Sequence, residues 1–181
     1  MPTTLDLLRK YSVPGPRYTS YPTAPHFHTG FGEADWAEAL AAPAAGRGLS
    51  LYAHIPFCDS LCYYCGCNMV ATRDYGKTVP YLAAIEREMA ETAARIDASR
   101  VAHQLHWGGG TPTYLSPDDI CRLAAIMKRH FRIAPDAEIS CEVDPRELTR
   151  AHLEALRESG FNRVSFGVQD MDPAVQQAVN R

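Results

Sequence analysis

From Leu49 to Gln169 the chain alternates between short apolar runs and longer segments whose apolar positions recur every three or four residues. "LSLYAHI" (49–55) suits a strand. Residues 79 to 97 then carry Leu82, Ile85, Met89, Thr92 and Ile96 as one helical stripe, with a core-facing role. "QLHWG" (104–108) predicts the next strand. Ser116, Pro117 and Asp119 predict an N-cap, a first-turn proline and a capping-box acid, opening a helix that runs to about Arg129. "EISCEV" (138–143) predicts a third strand. A helix from Arg150 to Ser159 follows, with Thr149 as its N-cap and Gly160 as its stop. "RVSFGVQ" (163–169) predicts the fourth strand, and a further helix is expected after Asp172, with the chain ending inside it.

Strands and helices alternating at this spacing predict an α/β architecture of repeated βα units, a parallel sheet and right-handed crossovers. Such a sheet places its chemistry at the C-terminal ends of its strands. The residues leaving each strand are the cysteines after the first, Gly108, Gly109 and Gly110 after the second, Glu142 and Asp144 after the third, and Gln169 and Asp170 after the fourth. All four strands therefore deliver polar or glycine residues to one rim.

The preceding region follows neither period. Residues 11 to 32 are rich in proline, glycine and aromatics and predict an irregular packed arm, because Tyr11, Tyr18, Tyr21, Phe27 and Phe31 are costly to leave in water. A short helix is expected around 33 to 41, with "AAPAAGRG" as a connector. The expected organisation is thus an arm and connector over 1–48 and a βα region over 49–181.

Composition adds exclusions. The chain of 181 residues is 46% hydrophobic and 22% charged with a net charge of -3, the profile of an ordinary globular protein. It has no apolar run of about 18 residues, so no membrane span is expected, and "MPTTLDLLRKYSV" lacks signal-peptide features. The expected compartment is the cytoplasm. No lysine or arginine block suggests nucleic acid. In a reducing compartment, clustered cysteines point to metal binding or catalysis rather than disulfides.

Of the 6 cysteines, Cys58, Cys62, Cys65 and Cys67 crowd into "HIPFCDSLCYYCGCNMV", while Cys121 and Cys141 stand apart. Structural zinc usually pairs two C-x-x-C hooks separated by about 15 to 20 residues. A single loop of the form C-x3-C-x2-C suits an iron-sulfur cluster better, with zinc and free thiols as the alternatives. Cys67 could serve as a fourth ligand, but only Gly66 separates it from Cys65, so the easier geometry leaves Cys67 free and one iron open. An open iron can bind a substrate or cofactor.

This loop resembles that of the radical S-adenosylmethionine superfamily. Together with "WGGGTPTY", "EISCEVDPRE" and "FNRVSFGVQD", it closely resembles the oxygen-independent coproporphyrinogen III oxidase (dehydrogenase) family of haem biosynthesis, from "GPRYTSYPTA" to "QQAVNR". The resemblance implies a partial (β/α)6 TIM-like barrel of which the first four βα units are present. It implies a [4Fe-4S] cluster on Cys58, Cys62 and Cys65, with two molecules of S-adenosylmethionine. Tyr52, Gly109 and Glu142 match contacts to the cluster-bound molecule, and Tyr64, Gly110, Thr111, Gln169 and Arg181 match contacts to the second. Tyr64 stands where phenylalanine is expected in many relatives. Cys67 matches a cysteine needed for activity without being a ligand. The implied reaction reductively cleaves S-adenosylmethionine to a 5'-deoxyadenosyl radical. The radical takes hydrogen from a propionate of coproporphyrinogen III; loss of CO2 and of one electron leaves a vinyl group, and two such rounds give protoporphyrinogen IX. An electron donor, an electron acceptor and a monomeric full-length protein are implied as well. The alternative family member is a haem-trafficking relative, which would carry phenylalanine at Cys67 and lack the "GPRYTSYPT" arm.

Each of these residues also has a simpler role. "GGGTPT" is a tight turn without the Lys-Ser/Thr of a P-loop. Glu142 and Gln169 taken singly are ordinary strand-end residues. His54 and His106 fit satisfied core or supporting positions, and Cys121 and Cys141 fit inert buried thiols. In the arm, Arg17 with Tyr18 suits the carboxylates and ring faces of a tetrapyrrole. Since the barrel has further units in the family, the chain is expected to be an N-terminal portion that does not turn over substrate alone.

Overall fold

The computed structural model describes residues 3–12, 23–43 and 46–181. The chain divides into two compact units, Met1–Glu38 and Ala39–Arg181. In the first, α1 (Thr4–Tyr11) is opened by a capping box: the Thr3 hydroxyl accepts from the Asp6 N–H, and the Asp6 carboxylate accepts from the Thr3 N–H. A single 3-10 turn covers Ala24–His26, and α2 (Glu33–Ala41) stands where the sequence predicts it. The arm is thus helical up to Tyr11. Tyr11, Phe27 and Phe31 are exposed rather than packed, since so short a unit offers little chain to cover them. Arg17, Tyr18 and Tyr21 lie outside the described residues.

The second unit runs β1 (Leu49–Ile55), β2 (Phe57–Cys58), β3 (Val70–Ala71), α3 (Thr78–Ala93), β4 (Val101–Gly109), α4 (Pro117–His130), β5 (Arg132–Val143), α5 (Arg150–Glu158), β6 (Arg163–Phe166) and α6 (Pro173–Ala178). β1, β4, β5 and β6 form one parallel sheet in that order, so every neighbour is reached by a helical crossover. β2 and β3 pair separately and bracket the cysteine loop.

Strand alternation gives this sheet two unlike faces. Ala53, Ile55, Leu105, Trp107, Ile139, Cys141 and Val143 point to one side and are buried with Leu82, Met89, Leu123, Met127 and Leu156 of the helices. Trp107 is at its centre, with its ring edge-on to Phe161 at 4.8 Å and its indole N–H donating to Met127 Sδ at 3.1 Å. The registers Ser50–Gln104, Tyr52–His106, Gln104–Glu138, His106–Ser140 and Glu142–Ser165 put an entirely polar row on the other side. A sheet that is apolar outside and polar inside is what a barrel wall requires when its lumen holds polar chemistry.

Local signals behave largely as expected. Thr149 caps α5, with His152 closing the box, and Gly160 ends it at φ 90°, a left-handed conformation that suits glycine. Ser116 caps α4, but Asp119 does not reach back to close that box. Instead the Ser116 N–H donates to Tyr75 Oη at 2.8 Å, and the Tyr75 hydroxyl donates to Asp119 at 2.5 Å, so the tyrosine sits inside the motif. β5 begins at Arg132 rather than at Glu138. β6 ends at Phe166, where the chain turns through Gln169 at φ 70°. α6 closes at Ala178, and the chain does not end inside it.

Candidate functional site

The cysteine loop is fixed to the sheet at its first residues. Phe57 is buried against Tyr81 and Tyr114, with ring centroids 5.3 and 5.4 Å away. Its strand lies between two backbone partners: Val70 N–H donates to Pro56 O at 2.7 Å, and Thr111 N–H donates to Phe57 O at 2.8 Å. Gly110 makes this possible. A Cβ there would lie 2.6 Å from Pro56 O, so only glycine lets the two segments meet. Gly109, at φ 120°, sits against the ring of His54.

Beyond Cys58 the loop opens onto a cavity of about 280 Å³. Its walls include the four clustered cysteines and Tyr64 from the loop, Gly109, Gly110 and Thr111 after β4, Glu142 at the end of β5, and Gln169 and Arg181 beyond β6. All of the predicted site residues except Tyr52 therefore share one chamber. Tyr52 stands just behind it: a Cβ at Gly108 would lie 3.0 Å from Glu142 Oε2 and 3.1 Å from Tyr52 Oη.

The sulfurs differ. Cys62 is buried, Cys58 and Cys65 are half-buried, and Cys67 is exposed. Burial pushes the Cys58 thiol above its ordinary pKa; the Thr111 hydroxyl, 3.3 Å from its sulfur, opposes this, and the neighbouring cysteines add to it. Burial and adjacent Cys65 raise Cys67 in the same direction. Bare, Cys58 is a weakly acidic thiol, which a metal would deprotonate on binding. Among the described residues no three His, Cys, Asp or Glu side chains converge in the way a single metal ion needs. Four cysteine sulfurs line the one chamber, and thiolates are the donors a metal–sulfur centre uses.

A profile of the radical SAM superfamily matches residues 52–181. The chain belongs to the radical SAM superfamily. Membership brings a [4Fe-4S] cluster and S-adenosylmethionine as its cofactors, and the sulfur-lined chamber fits them. The radical SAM chain is 50% identical over 179 residues to a protein of Pseudomonas aeruginosa named oxygen-independent coproporphyrinogen III oxidase, covering 97% of this chain and 39% of that one. It is 52% identical over 177 residues to the protein of the same name from Escherichia coli K12, covering 98% and 38%. A solved structure described as coproporphyrinogen III oxidase from Escherichia coli, a radical SAM enzyme, superimposes with a TM-score of 0.86 at 50% identity, over 97% of this chain and 38% of that one. The chain thus spans about two fifths of the length of these relatives, and its fold is the corresponding part of the radical SAM barrel.

In this radical SAM chain the two histidines support the site from behind. His54 donates from Nε2 to Asn68 O at 2.7 Å, which leaves Nδ1 to accept from the Tyr52 hydroxyl at 3.1 Å. One strand residue thereby holds both the far side of the cysteine loop and Tyr52. His106 lies with Nδ1 2.7 Å from Ser140 Oγ and Nε2 3.5 Å from Glu142 Oε1, and its ring stacks on Tyr52. Burial, and then the charge of Glu142, raise the Tyr52 pKa. Cys141 is fully buried and its thiol is pushed up to about 12 by burial, as an inert core cysteine should be, whereas Cys121 is only half-buried.

Two further charged residues line the wall, Asp144, expected only as a rim residue, and Arg146, which the sequence does not single out. Asp144 is placed on the rim by its strand, and Arg146 follows it across Pro145. The D-P-R spacing is the available signal, because the proline turn folds the arginine back onto the aspartate: Nη2 donates to Asp144 Oδ2 at 2.6 Å. Arg181 reaches the same oxygen at 2.8 Å. Burial pushes the Asp144 carboxyl up, but its bonds to Arg146 and the charge of Arg181 outweigh this and hold it below the usual range.

Proposed function

We propose that this chain is the cofactor-binding portion of an oxygen-independent coproporphyrinogen III oxidase. The whole protein would convert two propionates of coproporphyrinogen III to vinyl groups, giving protoporphyrinogen IX with release of CO2. The supporting observation is the single chamber into which three strand ends and the cysteine loop deliver the residues such chemistry needs. Relatives about half identical to this chain carry the corresponding name.

Cys58, Cys62 and Cys65 are the proposed cluster ligands, and Cys67, the exposed fourth, serves the reaction without ligating. When bound, the cluster and S-adenosylmethionine supply one-electron chemistry able to remove a hydrogen atom from an unactivated carbon. The chain's residues hold and orient. Glu142 offers a carboxylate to an ammonium group, with Tyr52 beside it and the close backbone of Gly109 opposite. Tyr64, Gly110, Thr111, Gln169 and Arg181 are the proposed contacts of a second S-adenosylmethionine, Arg181 and the Thr111 hydroxyl being its strongest polar groups. Residues 1–48 are assigned as arm and connector and 49–181 as the first part of the barrel. The proposal includes an electron donor, a one-electron acceptor, a cytoplasmic setting suited to reduced thiols and a monomeric full-length protein. Among the described residues no helix is long and apolar enough to cross a membrane.

The test is anaerobic reconstitution of the full-length protein with iron and sulfide, then incubation with reductant, S-adenosylmethionine and coproporphyrinogen III. Protoporphyrin and CO2 are expected, and Cys58→Ser, Cys62→Ser and Cys65→Ser should each abolish both the cluster and the product. Vinyl formation surviving any of the three substitutions sinks the assignment.

A further inference from the structure

Cys62 is the most enclosed of the four clustered cysteines, and it is distinguished by what faces its sulfur. Arg146 Nη2 donates to Cys62 Sγ at 3.6 Å and Arg181 Nη1 at 3.5 Å. The two guanidinium groups share one carboxylate, Asp144, whose side chain is 6% exposed. The trio therefore leaves one net positive charge beside a buried sulfur. By contrast, the Cys58 sulfur bonds a neutral hydroxyl, that of Thr111.

The arrangement is held from both sides. Arg146 bonds Asp144 through Nε and Nη2, and its Nη1 donates to Asn180 O at 3.0 Å. Asn180, at a left-handed φ of 55°, also sends its side-chain amide to Leu61 O at 2.7 Å, while the Tyr63 N–H donates to Val179 O at 3.0 Å. Residues on either side of Cys62 are thus bonded to the chain segment that fixes Arg146. Arg181 already has a place among the proposed cofactor contacts; Arg146 has none, and its bonds to Asp144 and Asn180 hold it with Nη2 towards Cys62.

We propose that Arg146 is a positioning residue which, clamped by Asp144 and Asn180, directs a charged N–H at the Cys62 sulfur and raises the reduction potential of the metal–sulfur centre. This rests on the reading of Cys62 as a ligand. A hydrogen bond from a cation withdraws electron density from a ligating sulfur and favours the reduced, more negative state.

The experiment uses the full-length protein reconstituted anaerobically, with iron and sulfide counted per chain and the midpoint potential read by titration followed by electron spin resonance. Arg146→Met should load iron and shift the potential downward. Arg146→Gln, which keeps a polar side chain but loses the charge and the fork, should shift it in the same direction. Loss of iron from both folded variants overturns the proposal, because Arg146 would then serve cluster retention and not the potential. An unaltered potential in either loaded variant overturns the proposal. Cys62→Ser separates the two levels: full iron retention there removes the ligand reading itself, whereas iron loss there with an unaltered potential in Arg146→Met removes only the role of Arg146.

Discussion

Trp107 and His106 are adjacent in one strand and live in opposite surroundings. Trp107 has no exposed surface and touches Phe161 and Met127. His106 turns to the open side, its side chain 35% exposed, between Ser140 and Glu142. The same division holds along the sheet, where apolar residues meet the helices and polar ones line the inner surface. Burial of the first set supplies the stability. The second set, polar side chains facing the chamber side, adds little apolar burial and is free to be chosen for chemistry.

This contrast can be broken by substitution. Trp107→Ala should cost about 3 to 5 kcal/mol in urea unfolding, through lost burial and the cavity left behind. Asp144→Asn should follow at about 2 kcal/mol, less than a fully enclosed pair would lose because the Arg146 side chain is 33% exposed. That contribution depends on pH. The folded-state pKa of Asp144 is depressed, so its stabilisation is present above the ordinary carboxylate pKa of about 3.9 and is lost as pH falls through the lower folded value. Unfolding measured against pH should show this acid limb in the unaltered protein and a flatter one in Asp144→Asn. Thr149→Ala removes the α5 cap and should cost about 1 kcal/mol. His106→Gln should change stability by no more than about 0.5 kcal/mol. If it costs as much as Trp107→Ala, the division of labour between the two faces is wrong.

The elements most legible in sequence were those marked by local chemistry. β1 was bounded by its apolar run, and α5 by Thr149 and Gly160, because a cap and a left-handed stop act over a few residues. The shared rim was legible as well, since parallel strands must emerge on one side. The start of β5 was hidden by Pro135 and Asp136, which read as punctuation but sit within an extended strand. Tyr75 inside the Ser116 cap was hidden for another reason: it lies far along the chain from the motif it completes. Arg146 was missed on both counts, through an unremarkable D-P-R turn and a sulfur partner 84 residues earlier.

The stitching of residues 61–63 to residues 179–180 also bears on the order of events at the ribosome. A nascent chain that has emerged only through β4 already displays the four clustered thiols, but it lacks Asp144, Arg146 and Asn180, which settle Cys62. On the proposed ligand set, metal loading before that point would meet a sulfur segment without these partners, so productive insertion would belong after the fourth βα unit has been made.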